Sequence, residues 1–214
     1  MTDDPFIAPD RHSGSHSGSR SGDDPSGRTP KPPLPRPGMG ASRARRGEIL
    51  RVDHAGEYAA VQIYRAQRAV FAAGRGREAI AADMAEMEAQ EQVHLDRFNA
   101  LLTAEGVRPT LMLPVWRLAA QALGAGTALL GEKAAHACTE AVESVIEEHY
   151  SEQVAETAGI DPALSAELAR FRDEELAHHD HAVAHGSREA PAHRLLSAVI
   201  KAGCRAAIRI SERV

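Results

Sequence analysis

Glu91-Gln-Val-His94 and Glu175-Leu-Ala-His178 are two Glu-x-x-His tetrads in a chain of 214 residues. On a helix, residues i and i+3 are neighbours, so each tetrad presents a carboxylate and an imidazole to one point. A single tetrad in an Ala- and Glu-rich helix arises from composition alone and is read by default as a solvated face. Two carry more, because each follows a segment with a glutamate among small or apolar neighbours: Glu57 in His54-Ala-Gly-Glu57 and Glu143 in Ala141-Val-Glu143. The separations nearly match, 34 residues from Glu57 to Glu91 and 32 from Glu143 to Glu175. That is the pattern of two similar helical hairpins stacked about a pseudo-twofold axis. One Glu from each of two helices and one Glu-x-x-His from each of two others form the donor set of a di-metal carboxylate bundle.

The electrostatics point the same way. Four carboxylates converging in a bundle interior cannot all stay ionised, since desolvation and mutual repulsion drive protons onto them. Two divalent cations cancel the charge instead. Oxygen-rich ligation with imidazole and no thiolate favours iron or manganese over structural zinc. Some local choices stay open. Glu174 lies four residues before His178 and Glu175 three, and the spacing of the first tetrad selects Glu175. His179, His181 and His185 are competitors whose plain reading is a surface or supporting histidine. Glu147, one turn beyond Glu143, is either a substitute ligand or a nearby base.

The composition suits helices. From Gly47 onward there are 37 alanines in 168 residues, and the whole chain has eight aromatics, which excludes an all-β fold. The two cysteines, Cys138 and Cys204, stand alone, so neither a disulfide framework nor a cysteine zinc site is indicated. Net charge is −5. Residues 1–46 carry eight basic and five acidic side chains, leaving 17 and 25 for the rest. The folded part is therefore acidic, which argues against nucleic acid as a partner.

Residues 1–46 also hold eight Pro, seven Ser and six Gly, too little apolar content to offset ordering entropy, so a disordered tail is expected there. After it only four prolines remain, at 109, 114, 162 and 191, each where a helical pattern starts or stops. Helices are expected at about 48–73, 77–105, 115–123, 127–158, 162–185 and 191–211. The stretch Leu111–Leu130 is long, but Pro114, Arg117, Gln121, Gly124 and Gly126 speak against a spanning helix. Val115, Leu118, Ala119, Ala122 and Leu123 share a face, as in an interfacial helix or a core-packing crossover. In the last helix Leu195, Leu196, Val199, Ile200 and Gly203 form an apolar side, and Lys201, Arg205 and Arg209 a cationic stripe.

With these residues in view, the sequence resembles the demethoxyubiquinone hydroxylase family, membrane-associated di-iron monooxygenases of ubiquinone biosynthesis. The resemblance runs from about Ile49 to Val214. It rests on Arg51-Val-Asp-His-Ala-Gly-Glu57, Gln90-Glu91 with His94-Leu95, Ala122-Leu-Gly-Ala-Gly-Thr-Ala-Leu-Leu-Gly131, and Ala141-Val-Glu143. It continues through His149-Tyr150, Phe171-Arg-Asp-Glu-Glu-Leu176 with His178-His179-Asp180, Ala202-Gly-Cys-Arg205 and Ser211-Glu-Arg213.

The resemblance implies an all-α, ferritin-like four-helix bundle with additional amphipathic membrane-facing helices, occupying residues 47–214. It implies that two iron ions per chain are held by Glu57, Glu91, His94, Glu143, Glu175 and His178, the six reached above from spacing. The implied reaction is O2-dependent hydroxylation of the unsubstituted ring carbon of a polyprenyl demethoxy-benzoquinol. Two ferrous ions bridged by carboxylates would deliver electrons together to O2, with the protein supplying ligation and dryness. His149 and Tyr150 are expected near the quinone pocket beside Glu143. Glu147 stands where relatives often carry a small residue.

An external reductant is required. No dinucleotide fingerprint offers to hold it, since Gly124-Ala-Gly126 with Gly131 lacks the preceding strand and the third-glycine spacing and reads as helix kinking or close packing. The expected partners are the polyprenyl quinol, a membrane surface bound peripherally, other ubiquinone-biosynthesis proteins and a second copy of the chain. The expected location is the cytoplasmic face of a bacterial cell membrane, or the matrix side of the mitochondrial inner membrane in a eukaryote. The rival enzyme reading is a rubrerythrin- or ferritin-like peroxidase or iron store using the same ligands.

Overall fold

A computed structural model describes residues 39–214, with side chains from residue 42. Six helices follow one another: α1 (Met39–Ala72), α2 (Glu78–Glu105), α3 (Leu113–Leu130), α4 (Glu132–Thr157), α5 (Pro162–Ala184) and α6 (His193–Ser211). A single 3-10 turn at Ser187–Glu189 precedes α6. The expectation of a disordered tail falls on residues 1–38, outside the described residues. Its last stretch, 39–46, is instead the start of α1. Composition missed this because the anchoring is ionic. Arg45 pairs with Glu156 at 2.8 Å, and Arg46 pairs with Glu105 at 3.1 Å and also with Asp161.

Breaker-rich connections of four or five residues make α1 and α2 one packed hairpin and α4 and α5 the other. The second turn is set by Asp161, whose side chain accepts from Leu164 N at 3.1 Å, with Pro162 as the first helical residue. The two largest apolar clusters lie in this bundle. Ile49, Leu50, Phe98, Leu102, Tyr150, Leu168 and Phe171 form one. Tyr64, Phe71, Met84, Met87, Ala128 and Ala135 contribute to the other. Each fully buried Phe stabilises the fold by roughly 1.5–3 kcal/mol, and each cluster draws on α1, α2 and α4, so both resist separation of the hairpins.

Helix α3 departs from expectation. It runs on through Gly124 and Gly126, and the break before α4 falls at Gly131, whose φ of 114° suits only glycine. Gly124 permits close approach rather than a bend: a Cβ there would stand 2.4 Å from Ile63 O and 3.0 Å from Ile63 Cα. These are backbone atoms and cannot rotate away. Gly124→Ala should therefore push α3 off α1 and destabilise the protein by about 1–3 kcal/mol, measured by chemical denaturation, while Gly126→Ala, which meets nothing within 4 Å, should not. Helix α6 packs along α4, and Trp116 Nε1 donates to Ser211 Oγ at 2.9 Å, tying α3 to α6. No helix among the described residues is long and apolar enough to cross a membrane.

Candidate metal centre

The six residues singled out by spacing come together. Glu57 on α1, Glu91 and His94 on α2, Glu143 on α4, and Glu175 and His178 on α5 are all buried, the most accessible being His178 at 6%. Their donor atoms fall into two groups, Glu57-Glu91-His94-Glu175 and Glu91-Glu143-Glu175-His178, within each of which the atoms lie inside 4.8 Å of one another. Glu91 and Glu175 belong to both. His94 Nδ1 lies 3.0 Å from Glu175 Oε1 and 3.7 Å from Glu91 Oε2. His178 Nδ1 lies 3.0 Å from Glu91 Oε1 and 3.1 Å from Glu175 Oε2. Each shared carboxylate thus turns one oxygen to each group, the arrangement of two bridging ligands. Glu57 and Glu143 each serve one group.

The supporting residues repeat the same twofold pattern. His94 Nε2 bonds to Glu174 Oε2 and His178 Nε2 to Gln90 Oε1, both at 2.6 Å. Each imidazole is held from outside by the residue preceding the shared glutamate of the opposite tetrad. An outward Nε2–H leaves the Nδ1 lone pair facing inward, as a metal ligand requires. Tyr64 donates to Glu143 Oε1 at 2.6 Å, and Tyr150 donates to Glu57 Oε1. Tyr64 stands seven residues after Glu57 and Tyr150 seven after Glu143. Burial first, then the adjacent carboxylate, pushes both phenols well above their usual range, so they remain donors. Tyr64→Phe and Tyr150→Phe should each weaken metal retention or activity by about 10–100-fold, read by dialysis against chelator and by turnover.

Tyr64 and Gln90 were not singled out as site residues, although signals for both existed: the repeated seven-residue offset, and a Gln or Glu directly before each Glu-x-x-His. Glu174 is a supporting residue, partly exposed and also bonded to Arg170, so Glu175 is the inward member of the pair. Glu147 is half-buried and belongs to neither donor group. His149 departs from its expected place. It pairs with Asp53 at 3.4 Å and Gln153 at 2.9 Å, and it lines a polar cleft with Arg45, Glu152 and Arg209. Tyr150 reaches Glu57 rather than Glu143, because the phenol crosses from α4 to α1.

Burial drives the Glu57 carboxyl well above its ordinary range, and the neighbouring charges of Glu175 and Glu91 add to this against the opposing pull of the His94 imidazole. Glu143 is raised by burial and by the same two charges. Burial would also raise Glu91, but the close imidazoles of His178 and His94 outweigh it and bring it down to about 2. Burial alone would lower both imidazoles, yet the surrounding carboxylates carry them well upward. Without metal, therefore, protons balance the charge. They do so incompletely in bonding terms: Glu57 Oε2, both oxygens of Glu91, Glu143 Oε2, Glu175 Oε1 and His94 Nδ1 are buried with no hydrogen-bond partner. Each such orphan costs about 1–3 kcal/mol. A pair of divalent cations fits the donor set, supplying a partner for every one of these atoms.

Residues 44–211 match the family model described as "Ubiquinone biosynthesis protein COQ7". The chain is 49% identical over 178 residues to the 3-demethoxyubiquinol 3-hydroxylase of Rhodospirillum rubrum, covering 83% of this chain and 82% of the relative. It is 48% identical over 176 residues to the mitochondrial NADPH-dependent 3-demethoxyubiquinone 3-hydroxylase of Mus musculus, covering 80% and 79%. The mitochondrial 5-demethoxyubiquinone hydroxylase of Saccharomyces cerevisiae is 38% identical over 181 residues, covering 78% and 77%. A two-hairpin bundle with a buried four-Glu, two-His centre, matched over nearly all of its described length, belongs to the COQ7 family of ubiquinone biosynthesis proteins.

Proposed function

We propose that this protein is a 3-demethoxyubiquinol 3-hydroxylase that holds two iron ions through Glu57, Glu91, His94, Glu143, Glu175 and His178. The observation that carries the reading is the set of orphaned donor atoms on bridging and terminal carboxylates at the bundle centre. When bound, the iron pair supplies activation of O2; one oxygen atom enters the ring and the other leaves as water, consuming two electrons and two protons from outside. The protein's own residues do the rest. Glu174 and Gln90 fix the two imidazoles, Tyr64 and Tyr150 hold the terminal carboxylates, and the apolar clusters keep bulk water from the centre.

An apolar cavity of about 370 Å³ lies between α1, α3, α4 and α6. Gly56 and Val142, the immediate neighbours of Glu57 and Glu143, form part of its wall, as do Ile63, Trp116, Leu123 and Ile200. Its size and lining suit a quinol ring with the start of a prenyl tail. The reductant comes from outside the bundle, and the Mus musculus relative's name specifies NADPH.

Peripheral attachment to the quinone-bearing membrane follows from the substrate's tail and the surface beside this cavity. Val115, Leu118, Leu129 and Leu130 on α3 and Leu195 and Val199 on α6 are all exposed, an apolar surface of the kind that inserts at an interface. The cationic stripe is weaker than expected, because Arg205 pairs with Glu148 at 2.8 Å. Lys201 and Arg209 remain to meet anionic head groups. Anaerobically iron-loaded protein, given O2, NADPH and a demethoxyubiquinol in anionic vesicles, should form the hydroxylated product and float with the vesicles. Leu118→Asp with Val199→Asp should abolish flotation and leave iron content unchanged. Iron-loaded protein that consumes O2 yet leaves the quinol intact would overturn the functional reading.

A further inference from the structure

A second cluster of ligating side chains lies away from the bundle centre. Asp83 on α2, His136 on α4 and His181 on α5 offer one carboxylate oxygen and two ring nitrogens, all within 4.8 Å of one another. Asp83 precedes Glu91 by eight residues, His136 precedes Glu143 by seven, and His181 follows His178 by three. The cluster is thus displaced one to two helical turns along the bundle, roughly 5–12 Å at 1.5 Å per residue. It shares no donor with the six central residues.

His136 makes the cluster more than a chance meeting of polar groups. It is 3% exposed, its Nδ1 has no hydrogen-bond partner, and its Nε2 stands 3.8 Å from Asp83 Oδ2, beyond bonding distance. Asp83 Oδ2 is likewise buried without a partner. His181 Nε2 lies 2.8 Å from Asp83 Oδ1. His185 completes the wall: its ring stacks on His181 at 4.0 Å and on His136 at 5.2 Å, and its Nδ1 bonds to His181 O. Burial, together with repulsion from His185 and His181 against the attraction of Asp83, lowers His136 to about 4. Its imidazole is neutral at physiological pH, the form that binds metal.

We infer that Asp83, His136 and His181 form a mononuclear site for a divalent transition-metal ion, separate from the central pair. Two imidazoles and one carboxylate suit Zn2+, Fe2+ or Co2+ and disfavour Mg2+ and Ca2+, which prefer all-oxygen ligation. Asp83 and His181 are partly exposed, so an ion enters from solvent and keeps a position open to water, as three-ligand sites do. The bound ion joins α2 of one hairpin to α4 and α5 of the other, and so stabilises the folded bundle by mass action.

The test counts metal by difference. Untagged full-length protein, its centre first loaded anaerobically with ferrous iron, is titrated with Co2+ and followed by visible absorption and elemental analysis after dialysis. Wild type should hold one equivalent of metal, iron and cobalt counted together, more than His136→Leu or His181→Gln, whose affinity at this site should fall by on the order of a hundredfold or more. Because the count is a difference, it holds whether or not the centre accepts iron. In chelator, His136→Leu should melt no lower than wild type, since it removes an orphaned imidazole, and added Zn2+ should raise the melting temperature of wild type more than that of the variant, whose centre is intact. Equal total metal in wild type and both variants, or a Zn2+-induced rise in melting temperature no larger in wild type than in His136→Leu, overturns the site.

Discussion

Glu91→Ala and Glu175→Ala should each lose both iron ions, whereas Glu57→Ala and Glu143→Ala should each empty one side first. The asymmetry follows from geometry: Glu91 and Glu175 turn one oxygen to each donor group, while Glu57 and Glu143 serve one group each. Hydroxylation should fall by on the order of a thousandfold or more in either shared-glutamate variant, since several kcal/mol of metal-dependent stabilisation of the transition state disappear together. The helices should survive. The apolar clusters around Phe98, Phe171, Tyr64 and Met84 do not depend on the ions, so far-ultraviolet circular dichroism should be retained. Iron content after dialysis, set beside turnover for the four variants, reads the result directly. Equal iron loss from all four would deny the bridging role.

Iron affinity should rise steeply with pH. The sign follows from which form binds. Metal needs the deprotonated ligand, while burial and the charges of Glu175 and Glu91 raise Glu57 and Glu143 in the metal-free protein. His94 and His178, opposed by burial but surrounded by carboxylates, are raised as well. Groups raised in this way hold their protons more tightly in the metal-free protein and release them on loading, so lowering the pH favours the metal-free form. Each proton released makes the equilibrium about tenfold weaker per pH unit. Ferrous titrations between about pH 6 and 8, with proton release followed by an indicator in weak buffer, should show loading that weakens as pH falls. Affinity independent of pH would mean that the centre is already deprotonated without metal.

Much of this site was legible in the sequence because helices translate spacing into geometry. Glu-x-x-His fixes two donors on one face whatever the surroundings, and its repetition with matched offsets from Glu57 and Glu143 specified two hairpins. Glu175 over Glu174 was decided by the same repeat. What escaped depended on contacts across helices. Tyr64 meets Glu143 only because α1 and α4 face one another, and Gln90 holds His178 only through the cross-pairing of α2 and α5. His149 was misplaced because adjacency to Tyr150 in sequence means a rotation of about 100° on a helix, which turns it to Asp53. The start of α1 escaped because its ion pairs reach Glu105 and Glu156, distant in the chain. Glycine likewise misled at Gly124-Ala-Gly126, where close packing against Ile63 keeps the helix continuous.

A pair of iron ions held between the two hairpins by four glutamates and two histidines is what the proposed hydroxylation requires. Anaerobic ferrous loading of the His136→Leu variant, which removes the accessory site from the count, followed by iron analysis and Mössbauer and magnetic measurements, tests it most directly. Two iron ions per chain with the spectroscopic signature of a coupled pair is the result expected. One iron per chain, or two that behave as isolated ions, would contradict it.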